Sequence, residues 1–115
     1  MIPDLNILKA LLQSIHKHSN LTADYDPKTL NAHRLWLLQS VFISNGVGST
    51  RDYKFDPVIY DLGPLTILGE QFVTMSTDED VWNKVLEAYE AADCDWSDKE
   101  LYENLQVLFQ EKHSK

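Results

Sequence analysis

The chain has 115 residues, 43% hydrophobic and 24% charged, with four glycines and four prolines, proportions that exclude a collagen-like, low-complexity or disordered polymer. Its formal charge of −8 is unevenly placed: residues 1–56 carry six basic and five acidic side chains, residues 57–115 carry four and thirteen. An acidic second half forgoes the counterion release that rewards nucleic-acid binding, while a near-neutral first half leaves that option open.

Asp4 can cap a first helix, and Leu5, Leu8, Leu12 and Ile15 recur at three- and four-residue steps, predicting a helix over about 4–18. His16, Lys17 and His18 fall in its last turn, where cationic character suits the negative end of the helix dipole. Two residues apart, the histidines point to different sides and do not make a metal site. Leu21 to Tyr25 reads as an extended link. Asp26-Pro27 then starts a second helix, predicted over about 27–41, because proline lacks only an N–H that the first turn leaves unused. Leu30, His33, Leu37, Leu38 and Val41 share its core side; Lys28, Asn31, Ala32, Leu35, Trp36 and Gln39 form its outer face.

Val41-Phe42-Ile43 is β-branched and aromatic, and Tyr53, Phe55 and Ile59 alternate with polar residues beyond Asn45-Gly46-Val47-Gly48-Ser49-Thr50. This pattern predicts an antiparallel β-hairpin with a glycine-bearing tip, with Pro57 at an edge or bulge. Gly46-Val47-Gly48 lacks the Gly-Lys-Ser/Thr continuation of a phosphate loop and precedes a strand, so no phosphate cradle is expected. Gly63-Pro64 turns the chain into a short helix running from Leu65-Thr66 to about Thr74, with Thr66 as its cap. Thr77 is read as the next cap, with Asp78, Glu79 and Asp80 in the positive first turn and Val81, Trp82, Val85, Leu86 and Tyr89 as the apolar stripe. Ser97-Asp98-Lys99-Glu100 is a capping box, and Trp96 before it can staple onto Leu101; the last helix turns Leu105, Leu108 and Phe109 inward.

Helix, link, helix, glycine-tipped hairpin and further helices are the element order of a winged helix with C-terminal additions. The expected fold class is therefore mainly α with a small antiparallel β-hairpin (α+β), as one domain over 1–115. Within it, 1–62 would be the winged-helix-like core and 63–115 the acidic helices. Three stretches carry a resemblance: Asp4-Leu5-Asn6-Ile7-Leu8-Lys9-Ala10-Leu11-Leu12; Asn31-Ala32-His33-Arg34-Leu35-Trp36-Leu37-Leu38; and Ile59 to Phe72, with its Leu65-Thr66-Ile67-Leu68-Gly69, continuing to Trp82-Asn83-Lys84-Val85. Over about residues 4–86 they resemble an uncharacterised family of bacterial and phage proteins, domain of unknown function 2513. The chain departs from the family pattern at Glu70-Gln71, where His-Glu is common, and at Gln39-Ser40-Val41-Phe42. The resemblance implies architecture and a phage or prophage setting, and no reaction.

Chemistry is sparse. Cys94 lies between Asp93 and Asp95, whose charge opposes the thiolate that a nucleophile needs. His16, His18, His33 and His113 lack zinc spacing, and the carboxylates scatter as solvated helix faces do. No enzyme activity, cofactor, metal or small-molecule substrate is expected. A single cysteine cannot form an intrachain disulfide, which predicts a reducing, cytoplasmic location. No basic leader precedes an apolar stretch and no run approaches the roughly 18 apolar residues of a membrane helix, so no membrane partner is expected.

The primary expectation is a non-catalytic regulatory or adaptor module acting through protein contacts, with a partner protein or a second copy. Leu35, Trp36, Trp82, Tyr89 and Phe109 are its candidate interface, since aromatic anchors among modest polar residues favour interfaces. The alternative is a DNA-binding regulator that uses helix 27–41 and the 45–54 wing. Lys28, Asn31, Gln39, Arg51 and Lys54 would then touch DNA, although so few cations disfavour it.

Overall fold

A computed structural model describes residues 2–17, 25–44 and 64–113. They form five helices: α1 (Leu5–His16), α2 (Pro27–Leu38), α3 (Ile67–Ser76), α4 (Glu79–Ala91) and α5 (Asp98–His113). Each starts where a side-chain oxygen satisfies an amide that the first turn would leave without a partner. Asp4 accepts from the N–H of Asn6, Asp26 from Thr29, Thr66 from Gly69 and Asp78 from Val81. At α5 the predicted capping box is formed in full: the Glu100 N–H donates to Ser97 Oγ, and the Ser97 N–H donates to Glu100 Oε1, both at 3.2 Å.

The expected α+β, winged-helix-like class is corrected by this architecture. Among the described residues there is no strand and no hairpin, only an isolated antiparallel bridge between Ile43 and Leu65. Val41 and Phe42, expected to open a strand, form a turn whose backbone groups are claimed by the starts of two helices. The Val41 N–H donates to Asp98 Oδ2 at 2.6 Å; the Val41 carbonyl accepts from the Thr66 hydroxyl at 2.6 Å; the Phe42 carbonyl accepts from the Thr66 N–H at 3.0 Å. β-Branched and aromatic residues here serve burial and not pairing, for Phe42 and Ile43 are core residues. The glycine tip 45–50 and the segment Tyr53 to Ile59 lie outside the described residues.

Two helix boundaries also differ. α2 ends at Leu38 and not near 41, because Ser40 folds its hydroxyl back onto the Leu37 carbonyl at 2.6 Å and accepts from the Phe42 N–H at 3.2 Å. The cap of α4 is Asp78 and not Thr77, whose hydroxyl donates to the Thr74 carbonyl at 2.7 Å and closes α3.

α3 lies at the centre, packed against α1, α4 and α5, while α2 packs on α1. The buried residues form one cluster, with Phe72 of α3 between Phe42 (centroids 4.9 Å apart) and Trp82 of α4 (5.7 Å, edge to face). Gly69 allows this packing. A Cβ built on it would stand 2.2 Å from the Phe42 carbonyl oxygen, so no larger residue fits unless α3 retreats from the turn. Thr66 and Gly69 of the Leu-Thr-x-x-Gly stretch thus have distinct duties, one capping α3 and the other letting its first turn meet the 41–44 backbone.

His33 ties α2 to the start of α1. Its ring is buried; Nε2 accepts from the Asp4 N–H at 2.8 Å, which leaves the proton on Nδ1 to donate to the Thr29 carbonyl at 2.7 Å. Both ring nitrogens are therefore occupied in a neutral imidazole. At the α4–α5 turn, Asp93 and Cys94 both adopt φ 56°, and the Cys94 N–H donates at 2.8 Å to the Tyr89 carbonyl, which also accepts from the Ala92 N–H at 3.2 Å, closing the end of α4.

Candidate functional site

α3 turns Phe72, Val73 and Ser76 inward, with Met75 also buried but reaching the side toward α5, and α5 turns Leu101 and Leu105 inward. The remaining flanks of the two helices meet in an open groove of ≈ 510 Å³, lined by Ile67, Glu70, Gln71, Thr74 and Met75 of α3 and by Tyr102, Gln106, Phe109 and Gln110 of α5. A second depression, ≈ 310 Å³, continues toward the start of α5 beside Val41, Leu68, Lys99 and Glu103; it shares Tyr102 and Gln106 with the first. A third, ≈ 490 Å³, follows toward the end of α5 beside Val107, Glu111 and His113 and shares Phe109 and Gln110. The first two make one track along α5 from Lys99 to Gln110, while the described lining of the third lies on α5 alone. Ile67 stands 75% exposed along the track.

The polar groups of the track are ordered. The Tyr102 hydroxyl hydrogen-bonds Gln71 Oε1 across the groove. At the far end Lys112 is drawn to Asp78 Oδ1 (2.7 Å) and Asp80 Oδ2 (3.1 Å), and His113 Nε2 lies 3.1 Å from Asp78 Oδ2 with its ring 4.2 Å from that of Phe109. The Lys112 ammonium pulls the Asp78 carboxyl down to about 2, helped by the Val81 N–H and by His113 against partial desolvation. The same carboxylates raise the Lys112 ammonium above its ordinary value. The end of α5 is thereby fastened to the start of α4.

The predicted site residues are scattered. Of the DNA set, Lys28 is exposed on α2, Asn31 is half-buried there, and Gln39 is exposed just past the helix end, while Arg51 and Lys54 lie outside the described residues. Of the interface set, Trp82 and Tyr89 are buried within the chain. The Trp82 indole N–H donates to Asn6 Oδ1 at 2.9 Å, and the Tyr89 hydroxyl donates to the Pro3 carbonyl at 2.9 Å. Burial pushes the Tyr89 phenol up to about 12, with negative charge at Cys94 and Asp4 adding to it. Trp36, expected on the outer face of its helix, is half-buried and packed against the core; three residues on from His33, it lies on the adjoining flank. Leu35 is half-buried on α2. Trp96 meets the Tyr89 ring at 5.3 Å, and both Trp96 and Leu101 join the core.

Only Phe109 of the interface set lines the groove. Its companions Ile67 and Gln106 lie outside the candidate interface, and so does Tyr102, which the sequence marks only as part of the aromatic surface of the C-terminal helices; two signals point to Ile67 and Tyr102. An isoleucine directly after a capping threonine has no local duty, and Tyr102 and Phe109 stand seven residues apart on one flank of the last helix. Among the described residues no group of three or more His, Cys, Asp and Glu side chains gathers as metal ligands, and no helix is long and apolar enough to cross a membrane. No family model, curated protein or solved structure matches the chain. Its described residues define a helical protein with an apolar track along its last helix.

Proposed function

We propose that the protein is a non-catalytic regulatory or adaptor module that works by a protein contact in the α3–α5 groove. The observation that carries this reading is the groove itself, where Ile67 is left 75% exposed beside Tyr102 and Phe109. Contiguous apolar surface costs free energy in water, and covering it recovers roughly 25 cal/mol per Å². The lining is mainly aliphatic, aromatic and amide, with Glu70 and Thr74 among it, which suits contact more than bond-breaking. The lone cysteine favours a reducing, cytoplasmic location, and the resemblance to domain of unknown function 2513 favours a bacterial or phage setting.

A photo-crosslinking amino acid placed at 67, and a control at Glu87 on the exposed face of α4, test the reading in lysate of the source cells. The expected result is a discrete cross-linked protein at 67 alone, one that binds the purified chain and loses at least tenfold affinity with Ile67→Ser. Equal labelling at both positions refutes the contact. So does tight binding of random duplex at low salt that disappears when Lys28, Arg51 and Lys54 are all changed to alanine, since that outcome assigns the chain to DNA.

A further inference from the structure

We infer that the occupant of the groove is an amphipathic helix of a partner protein, apolar along one face and bordered by lysine or arginine. The inference rests on the contact function proposed above and narrows it to one kind of partner.

Length and spacing favour a helix. From Lys99 to Gln110 the track follows α5 for about 17 Å, the length of roughly three helical turns. Tyr102 and Phe109 stand two turns apart, about 10 Å, which is the separation of apolar residues at i and i+7 on a docking helix. A helix satisfies its own backbone hydrogen bonds. The amides of Gln106 and Gln110 can then serve its side chains, and no free strand edge is required.

Charge favours a cationic border. Glu70 and Glu103 line the track, against one lysine, Lys99, within the acidic second half of a chain of charge −8. Lys112, in the last turn of α5, is turned to Asp78 and Asp80, and among the described residues neither Glu70 nor Glu103 has an ion pair. A second copy has the wrong sign for this face, because it brings its own acidic groove on a chain of charge −8. Nucleic acid is repelled for the same reason.

The test is a display library of helical peptides about three turns long, with one randomised face and flanks drawn equally from Lys/Arg and Asp/Glu, selected on the full chain. Selected peptides are expected to carry cationic flanks and apolar residues at i, i+3 or i+4, and i+7. The best binder should lose at least tenfold affinity with Ile67→Ser, which leaves thermal unfolding unchanged because the side chain is exposed. Affinity should fall about threefold when Glu70 and Glu103 are both changed to Gln, and by a similar factor between about 50 and about 500 mM salt. Acidic or extended selected peptides, or binding indifferent to Ile67→Ser, overturn the inference. Self-association that Ile67→Ser abolishes also overturns it, because a second copy is then the occupant. A partner cross-linked at 67 through an acidic or non-helical segment sinks this inference and leaves the contact function standing; absence of any cross-link at 67 sinks the contact function.

Discussion

Replacing Gly69 by alanine puts a methyl group where the structure has the Phe42 carbonyl. The added Cβ would lie 2.2 Å from the oxygen, 3.1 Å from the carbonyl carbon and 3.2 Å from Leu65 Cδ2. An ordinary carbon–oxygen contact is about 3.3 Å or more, so the first turn of α3 and the 41–44 turn must separate by about 1 Å. Overpacking of this kind costs about 1–3 kcal/mol, and the neighbour that must yield is backbone. Separation also stretches the bonds from Thr66 to the Phe42 and Val41 carbonyls, each worth a net of about 1 kcal/mol. Against this, alanine gains at most about 1 kcal/mol over glycine in a helix. The net expectation is a loss of about 2 kcal/mol, a fall in Tm of about 8 °C for a domain of this size. Thermal and urea unfolding followed by circular dichroism measure it. An unchanged or raised Tm, the result that helix propensity alone predicts, refutes the close approach of α3 to the turn.

His33→Ala removes a buried ring and leaves the half-buried Asp4 N–H without its acceptor, and should cost about 1–2 kcal/mol in urea unfolding; a change below about 0.5 kcal/mol refutes the tie between α2 and α1. The Asp78 carboxyl is lowered from 3.8 to about 2 in the fold. Its pairing with Lys112 therefore stabilises fully above the ordinary carboxylate range, and that contribution is lost as pH falls through about 2. Urea midpoints of wild type and Asp78→Asn should differ most above pH 4 and converge near pH 2; a difference that grows on acidification contradicts the pairing. The Tyr89 phenol is raised from 10.0 to about 12, so its neutral form stabilises the fold below pH 10 and that stabilisation is lost as pH rises through 12. In an alkaline absorbance titration of the five tyrosines, the last to ionise should disappear in Tyr89→Phe; if the variant leaves that last step in place, Tyr89 is not the buried phenol.

The starts of the helices were legible in the sequence because each depends on chemistry within four residues. Asp4, Asp26, Thr66 and the Ser97–Glu100 box all cap as their spacing predicts, and Asp78 displaces Thr77 by a single position. The apolar stripes of α1 and α4 were readable for the same reason, since periodicity is a local property. Val41-Phe42-Ile43 misled because β-branched and aromatic residues suit a buried turn as well as a strand, and local pattern does not separate the two. What the Val41 backbone bonds to is decided by Asp98, 57 residues away.

The sequence by itself determined that the chain is helical over most of its described length, where those helices begin, and that its second half is acidic. Only tertiary structure decided which aromatic residues the fold would take for itself. Trp82 and Tyr89 look like any other anchors on a helix, yet their polar atoms reach Asn6 and Pro3 across 76 and 86 residues and they disappear into the core. Phe109 and Ile67 belong to helices of similar pattern and stay at the groove because no described element covers the outer flank between α3 and α5. Burial is a property of neighbours brought together by the whole fold, and a one-dimensional pattern specifies a helix face without specifying what will lie against it.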